Sequence, residues 1–537
     1  MIHPSVTSTA VWRWIGILCC AGSIFWALPN SSRASRASEE AGLPAIVNPS
    51  FEDDVITGAG APSGWTNSAP AGAVIEFGGH RGGYRLSHWQ PQDYSIETSQ
   101  ALPRLPGGWY TLRAWVRRSA GRNRSFIQLR CGDEGERVYL PVARPDQWLQ
   151  IVTSVQTAGG SCAAVLHTDA AGGEWSNFDD VELVPGRARL SALGADVSSL
   201  HKSEDLGGIY LDDRDGGGLR RSPSALEILA GHGASHIRLR VWVNPADGYH
   251  EKRELLEMAR RAKAAGLKLL VDIHYSDTWT DPGQQRKPAA WSNYTIAELR
   301  QAIYDYTFDL CQGLKLSAEA PDLVQIGNEL NSGMLWPDGH TWNPPRWENL
   351  GIFLKAGYDA VKASSLQTKV MLHLANGGDN GLYRWWFDNI TAQGVQFDVI
   401  GVSYYGFWHG SLGDLQSNLN EIAGRYDKDV VVAETAYPFT LANADGWPNL
   451  IGNPNQLVAG YPATPEGQAA NFRDVMSILR AVPNGRGLGL FYWDATWTAV
   501  PGNGWNPVDP STGNAWENQA LFDFAHRPLP AMGQFKP

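Results

Sequence analysis

Leu323-Val-Gln-Ile-Gly-Asn-Glu-Leu330 decides how the rest of the chain is read. It opens as an apolar run of strand length, then breaks into Asn328-Glu329, two polar residues where burial should forbid them. A carboxylate at the end of a buried strand is costly unless it is paired or has a task. Taken alone, the pair fits a salt-bridged or capping glutamate as well as it fits a catalyst.

Seven further apolar runs surround this one, at 194–200, 236–243, 267–276, 370–376, 397–406, 430–437 and 488–496. Helical patterns alternate with them, among them 251–265 closed by Gly266, 296–313 and 347–363. Eight such strands with intervening helices predict an α/β fold, a (β/α)8 TIM barrel spanning 190–535. A doubly wound open sheet is the alternative, but no glycine-rich phosphate turn follows the first strand.

Each run turns polar at its C-terminal end, the end where barrel enzymes carry their chemistry. The residues there are Arg240 and Asn244, Asp272 and His274, Asn328 and Glu329, Asn376, Tyr404 and Tyr405, Glu434, and Trp493 with Asp494. Glu329 ends the fourth strand and Glu434 the seventh, so both project into one mouth. Glycoside hydrolysis needs such a pair, one carboxyl to protonate the leaving oxygen and one carboxylate on the other face of the sugar.

Upstream, residues 45–185 have a strand-and-turn texture, with candidate strands at 73–77, 110–117, 125–130, 137–142, 148–155 and 163–167. That spacing predicts an all-β sandwich. Its opening N-P-S-F-E-D-D (48–54), the following G-W (64–65) and the closing N-F-D-D-V-E-L (177–183) resemble the galactose-binding-like jelly rolls that serve as carbohydrate-binding modules. Trp65, Tyr84, Trp89, Trp109 and Trp115 are the candidate stacking residues. Trp115, inside an apolar run, is expected in the core, whereas Trp89, in the polar S-H-W-Q-P-Q stretch, is the better ligand candidate. A purely stabilising appendage is the alternative. The basic joint at 185–190 is too short for a flexible linker, which implies close packing of the two domains.

A chain of 537 residues exceeds one ordinary domain, and a net charge of -11 excludes nucleic acid as the expected partner. The 23 tryptophans favour ligands with flat apolar faces, such as sugar rings. Residues 1–38 read as an export signal: Arg13, an apolar stretch at 14–28, then small residues around Ala34 and Ala37. The stretch is short for a spanning helix and no other apolar run reaches 18 residues, so a secreted protein without integral membrane partners is expected. An uncleaved anchor is the alternative. Leu18 ahead of Cys19 and Cys20 argues against a lipoprotein site. Cys131 and Cys162 lie in the β-rich region of an exported chain, where a disulfide is permitted, and Cys311 is left free in a helix.

The strings around the strand ends resemble glycoside hydrolase family 53, the endo-β-1,4-galactanases, within the retaining barrel hydrolases of clan A. They are G-A-D-V-S-S-L (194–200), R-V-W-V-N-P (240–245), D-I-H-Y-S-D-T-W-T-D-P (272–282), Q-I-G-N-E-L-N-S-G-M-L-W-P (325–337), S-Y-Y-G-F-W-H-G (403–410), Y-P-A-T-P-E-G-Q (461–468) and W-E-N-Q-A-L-F-D-F (516–524). The resemblance implies Glu329 as acid/base and Glu434 as nucleophile. It implies that Asn328 bonds the 2-hydroxyl of the sugar, that Arg240 keeps the nucleophile ionised, and that Tyr404 or Tyr405 donates to it. His274 would position the sugar and Trp493 would form the floor beneath it. The substrate implied is β-1,4-galactan, hydrolysed by a monomer without a cofactor for the chemistry. Another plant polysaccharide, or a non-catalytic binding role, are the competing readings. Bacterial members of the family often carry a calcium loop after the seventh strand. Here Asn443, Asp445 and Asn449 match its positions, with Trp447 where histidine is expected, so the stretch reads either as a structural calcium site or as an ordinary polar turn.

Overall fold

Leu323–Ile326 is the fourth of eight parallel strands that close on one another in sequence order. The others are Ala192–Asp196, His236–Val241, Lys268–Ile273, Lys369–Leu374, Val399–Ser403, Asp429–Thr435 and Gly487–Tyr492, and the first pairs with the eighth to complete the barrel. The computed structural model describes residues 44–536, apart from 55–59, 143, 213–219, 222–223, 319 and 510. The expected export signal at 1–38 lies outside the described residues. No helix among the described residues is long and apolar enough to cross a membrane.

Strand residues alternate between two apolar layers, as the two-residue period of a strand requires. Leu270, Leu323, Met371, Val399, Val431 and Phe491 fill the barrel interior. Neighbours such as Val271, Val324, Leu372 and Val430 face outward and pack under the helices. The helices start where local chemistry favours it. Thr295 and Glu298 form a reciprocal capping box for Ile296–Ser317, and Ser411 with Asp414 does the same for Leu412–Tyr426. Every run expected as a strand overlaps one. The strands stop earlier than the apolar patterns, at Ile326 and not 330, and at Ser403 and not 406. The residues beyond are rim, which frees them to point into the mouth.

Residues 66–185 form two five-stranded antiparallel sheets sharing one apolar core that includes Phe51, Trp65, Leu86, Leu112, Ile127 and Phe178. A disulfide joins Cys131 to Cys162 across adjacent strands of one sheet, and Cys311 is free and buried. One expectation is corrected here. Trp115 is not core: it shares strand parity with Arg113 and Arg117, faces outward, and stacks on His80 at 3.7 Å. Trp65 is buried, Trp89 is exposed, Tyr84 stacks on Phe77, and Trp109 lies under Arg187.

The strand Leu149–Thr157 carries the sandwich onto the barrel. Leu149 joins the barrel's outer core, and Gln150 and Gln416 exchange two backbone–side-chain hydrogen bonds of 2.8 Å each. Gln147 accepts from Ser411 Oγ and donates to Asp414, at the start of Leu412–Tyr426. Arg480 pairs with Glu136, and Arg473 lies over Tyr139.

Candidate active site

Arg238, on the second strand, is the hub of the mouth and is 1% exposed. Its Nη1 donates to Asp196 at 2.8 Å. Its Nη2 reaches Asp272 at 2.8 Å, Glu434 at 2.9 Å and Asn328 Oδ1 at 3.1 Å. Burial works against its charge, but Asp272, Glu434 and Asp196 outweigh it, so the guanidinium stays protonated. Arg240 stands two residues nearer the rim. It pairs with Asp494 at 3.0 Å and covers the Trp279 ring at 4.0 Å, without touching Glu434. Arg240 was expected to hold the seventh-strand carboxylate, but the guanidinium that meets Glu434 is that of Arg238. Both face into the barrel, but strand tilt brings only the deeper one level with Glu434.

Glu434 sits where the sixth and seventh strands slip register, opposite Ser403. Such an irregularity re-aims a side chain, here into the mouth. Its Oε2 accepts from Tyr405 Oη at 3.0 Å, whereas Tyr404 Oη donates to the Gly410 carbonyl. That resolves the tyrosine alternative in favour of Tyr405.

Glu329 follows Gly327 in a tight turn at the end of the fourth strand, with φ 45° and ψ 60°. A left-handed non-glycine residue costs on the order of 1–3 kcal/mol and persists only when its surroundings enforce it. Tyr275, Asn376 and Asp494 adopt positive φ at other strand ends, so this strain is a property of the rim. Glu329 Oε1 accepts from Ser403 Oγ at 2.6 Å, and Oε2 has no hydrogen-bond partner among the described residues.

Ser403 is itself oriented by a relay that starts at Arg238, which only donates. Arg238 fixes the Gln325 amide by donating to its Oε1, so Gln325 Nε2 faces His373 Nδ1 at 3.0 Å. His373 Nε2 then donates to Ser403 Oγ at 2.9 Å. Burial, with Arg238 nearby, holds His373 well below the ordinary imidazole range, so it is neutral as this tautomer requires. Sequence reasoning passed over His373 and Arg238. The signal was present, since both are polar residues at inward-facing positions of otherwise apolar strands.

The two carboxyl groups have unequal surroundings. Burial raises Glu329 to about 8, and the charge of Glu434 adds to it, against the Ser403 bond. Burial pushes Glu434 up as well, to about 7, opposed by Arg238 and the Tyr405 hydroxyl. A cation at 2.9 Å and a phenol at 3.0 Å serve Glu434, while one serine hydroxyl serves Glu329. The proton shared by this pair therefore resides on Glu329.

Asn328 is pinned by Thr280 and Gln285. Its Nδ2 donates one hydrogen to the Thr280 carbonyl and keeps a second. His274 donates from Nε2 to Asp272 and accepts at Nδ1 from the Thr280 backbone N–H. Both ring nitrogens are thus engaged within the protein, and His274 orients Asp272. Trp493 packs against Trp516 at 4.5 Å, with Trp497, Trp279 and Tyr405 completing an aromatic wall. Beside Arg240 lies a small, narrow recess walled by Trp279, Trp497, Trp505 and Lys202.

In the loop at 443–449, where calcium is one expectation, Asn449 Oδ1 is buried without a partner among the described residues, whereas the other candidate oxygens are engaged within the protein. Both Asp445 oxygens accept from backbone N–H groups of Trp447 and Asn514. Asn443 Oδ1 accepts from Gly446, and Asn449 donates to the Ala442 carbonyl. Among the described residues, no cluster of three or more His, Cys, Asp or Glu could hold a metal ion.

Two carboxyl groups of opposed protonation, sunk in the mouth of a (β/α)8 barrel and walled by indoles, define a glycoside hydrolase. The comparisons with known proteins narrow the class. The model described as glycosyl hydrolase family 53 matches residues 192–535, and the chain belongs to that family. An arabinogalactan endo-beta-1,4-galactanase of Thermothelomyces thermophilus is 38% identical over 318 residues, which cover 57% of this chain and 90% of that protein. An endo-beta-1,4-galactanase of Bacillus subtilis is 33% identical over 392 residues, covering 66% of this chain and 88% of the relative. The solved GH53 catalytic domain of Ignisphaera aggregans is 40% identical with a TM-score of 0.61, covering 65% of this chain and 96% of that one. The family match begins at the first barrel strand and leaves the sandwich outside it.

Proposed function

We propose that this chain is a retaining endo-hydrolase of β-1,4-galactan, the galactan of pectin side chains. The observation that carries the mechanism is the asymmetry between Glu329 and Glu434. Glu434, kept anionic by Arg238 and Tyr405, attacks the anomeric carbon. Glu329 releases its proton to the departing oxygen. The serine bond on Oε1 leaves Oε2 as the oxygen that carries this proton toward the sugar. Glu329, now a carboxylate, next takes a proton from water, whose oxygen attacks the anomeric carbon and breaks the bond to Glu434. These steps use side chains and water alone. The free Asn328 amide hydrogen serves the sugar 2-hydroxyl, and Trp493 with Trp516 offers the apolar face on which a ring rests. Galactan as the substrate is supported by the named activities of the relatives.

The sandwich is read as binding the same polysaccharide, so that tethering raises the catalytic domain's effective concentration on it. Export as a monomer completes the reading, supported by the apolar N-terminal segment and by a disulfide that an oxidising compartment would preserve. Reducing-sugar release from pectic galactan is the test, with the product anomer followed by NMR. The expected result is release with retention, lost by roughly 10²–10⁴-fold in Glu329→Gln. Release from mannan or glucan but not galactan would sink the substrate assignment.

A further inference from the structure

One sheet of the sandwich runs in the order Ala73–Phe77, Tyr84–Trp89, Trp175–Pro185, Gly108–Arg118, Leu149–Thr157. Its inner face supplies core residues such as Leu86, Phe178 and Leu112. Its outer face is organised in rows across the strands. Trp89 stands opposite Trp175. One pleat along, Ser87 stands opposite Asn177, and Asn177 opposite Arg117. One pleat further, Trp115 stands opposite Gln150. A polar row thus lies between the Trp89–Trp175 pair and Trp115, which are set roughly 13 Å apart by strand rise.

The polar row is built and lies low in the face, with Ser87 and Asn177 each 3% exposed. Asn177 Nδ2 donates to Ser87 Oγ at 2.7 Å. Arg117 Nε donates to Asn177 Oδ1 at 2.9 Å, and its Nη1 to the Pro145 carbonyl at 3.1 Å. The guanidinium is held over Trp148 at 4.6 Å and near Trp175 at 5.8 Å. Trp89 is 48% exposed at the outer end. Flat indoles flanking fixed amide, hydroxyl and guanidinium groups suit a ligand with apolar C–H faces and hydroxyl edges. A polyanion is disfavoured, because the neighbouring Arg85 is paired with Glu76 and the chain is acidic overall.

The inner end of the row points at the active site. Trp148 adjoins Gln147, which is bonded to Ser411 at 2.7 Å. Three residues before Ser411 stands Trp408, 49% exposed, whose ring lies 5.7 Å from Tyr405 and 6.2 Å from Trp516. The path from Trp148 to Trp408 is on the order of 25 Å at most by backbone spacing.

We propose that this face is a galactan-binding groove, floored by Ser87 and Asn177, which hold Arg117 among the indoles, and that it delivers the polysaccharide to the catalytic mouth at Trp408. It rests on the galactanase reading for the identity of its ligand. The test is affinity electrophoresis of full-length Glu329→Gln protein through gels containing pectic galactan. Adding Trp89→Ala and Trp175→Ala together is expected to weaken retardation at least fivefold, while Trp89→Phe retains most of it. Should the double variant unfold, Trp89→Ala alone decides the matter, since that ring is half-exposed and outside the core. Equal retardation of the alanine variants would overturn the groove. Reducing-sugar release by the otherwise unaltered chain is read in parallel. Cleavage of galactan with no effect of Trp89→Ala rejects the groove and leaves the enzyme reading intact. Trp89-dependent retardation without any cleavage supports the groove and rejects the enzyme reading instead.

Discussion

Ser403 donates to Glu329 Oε1 and so favours the carboxylate form. Glu329 nevertheless holds its proton to about 8, because burial and Glu434 dominate. The active form needs Glu329 protonated and Glu434 ionised, so kcat/KM should fall on the alkaline side as Glu329 loses its proton. In Ser403→Ala the stabilised carboxylate loses its donor, and the alkaline limb should move to higher pH; an unmoved or lowered limb would show that Ser403 does not act on the acid. The tyrosines offer a sharper comparison. Tyr405→Phe removes a hydrogen bond to an ionised group, worth about 1.5–3 kcal/mol, and should lower kcat roughly 10–150-fold. Tyr404→Phe removes a bond to a backbone carbonyl away from the reacting pair, and its kcat should stay within about twofold.

At the scale of the element, the strand His236–Val241 sets two arginines at different depths. Arg238→Lys replaces a five-donor fork with one ammonium, which cannot serve Asp196, Asp272, Glu434 and Asn328 together. Breaking a buried charge network of this kind costs about 3–5 kcal/mol. Less cation beside Glu434 raises its pKa, so the acid limb of kcat/KM should shift to higher pH along with the lost stability. Arg240→Lys keeps a cation near Asp494 and should leave the acid limb in place; a shift equal to that of Arg238→Lys would contradict the assignment. The sandwich has its own element-scale constraint. The disulfide spans 31 residues between adjacent strands, and in the chain-entropy account its reduction should cost about 3–4 kcal/mol. A melting temperature unchanged by reductant would show that the sandwich core suffices without it.

At the scale of the whole molecule, the sandwich and barrel are joined by paired glutamines, Gln147 against the start of Leu412–Tyr426, and Leu149 inserted into the barrel's outer core. An interface that shares apolar core resists independent unfolding of its partners. Calorimetry should therefore show one transition, and two well-separated transitions would mean that the domains unfold alone. The same docking places the groove face beside the catalytic rim, so the relative orientation of the domains is part of the proposed substrate path.

The eight strands, the two glutamates and the aromatic rim were legible in the sequence, because each rests on a local pattern. An apolar run that ends in a polar residue records burial followed by exposure, and strand order follows from chain order in a closed parallel barrel. The parity of Arg113, Trp115 and Arg117 was equally local and points Trp115 outward, but the apolar neighbours outweighed it in the expectation of a core residue. What the tertiary structure alone decided is height and aim within the mouth. Arg238 and Arg240 share a face, and only barrel tilt determines which one meets Glu434. Tyr404 and Tyr405 lie past the last strand residue, where alternation no longer fixes direction. The relay from Arg238 through Gln325 and His373 to Ser403 joins four strands, and it decides which oxygen of Glu329 is left to face the sugar. Such contacts arise from closing the barrel, because residues distant in sequence acquire a common low-dielectric environment only once the strands are curled together.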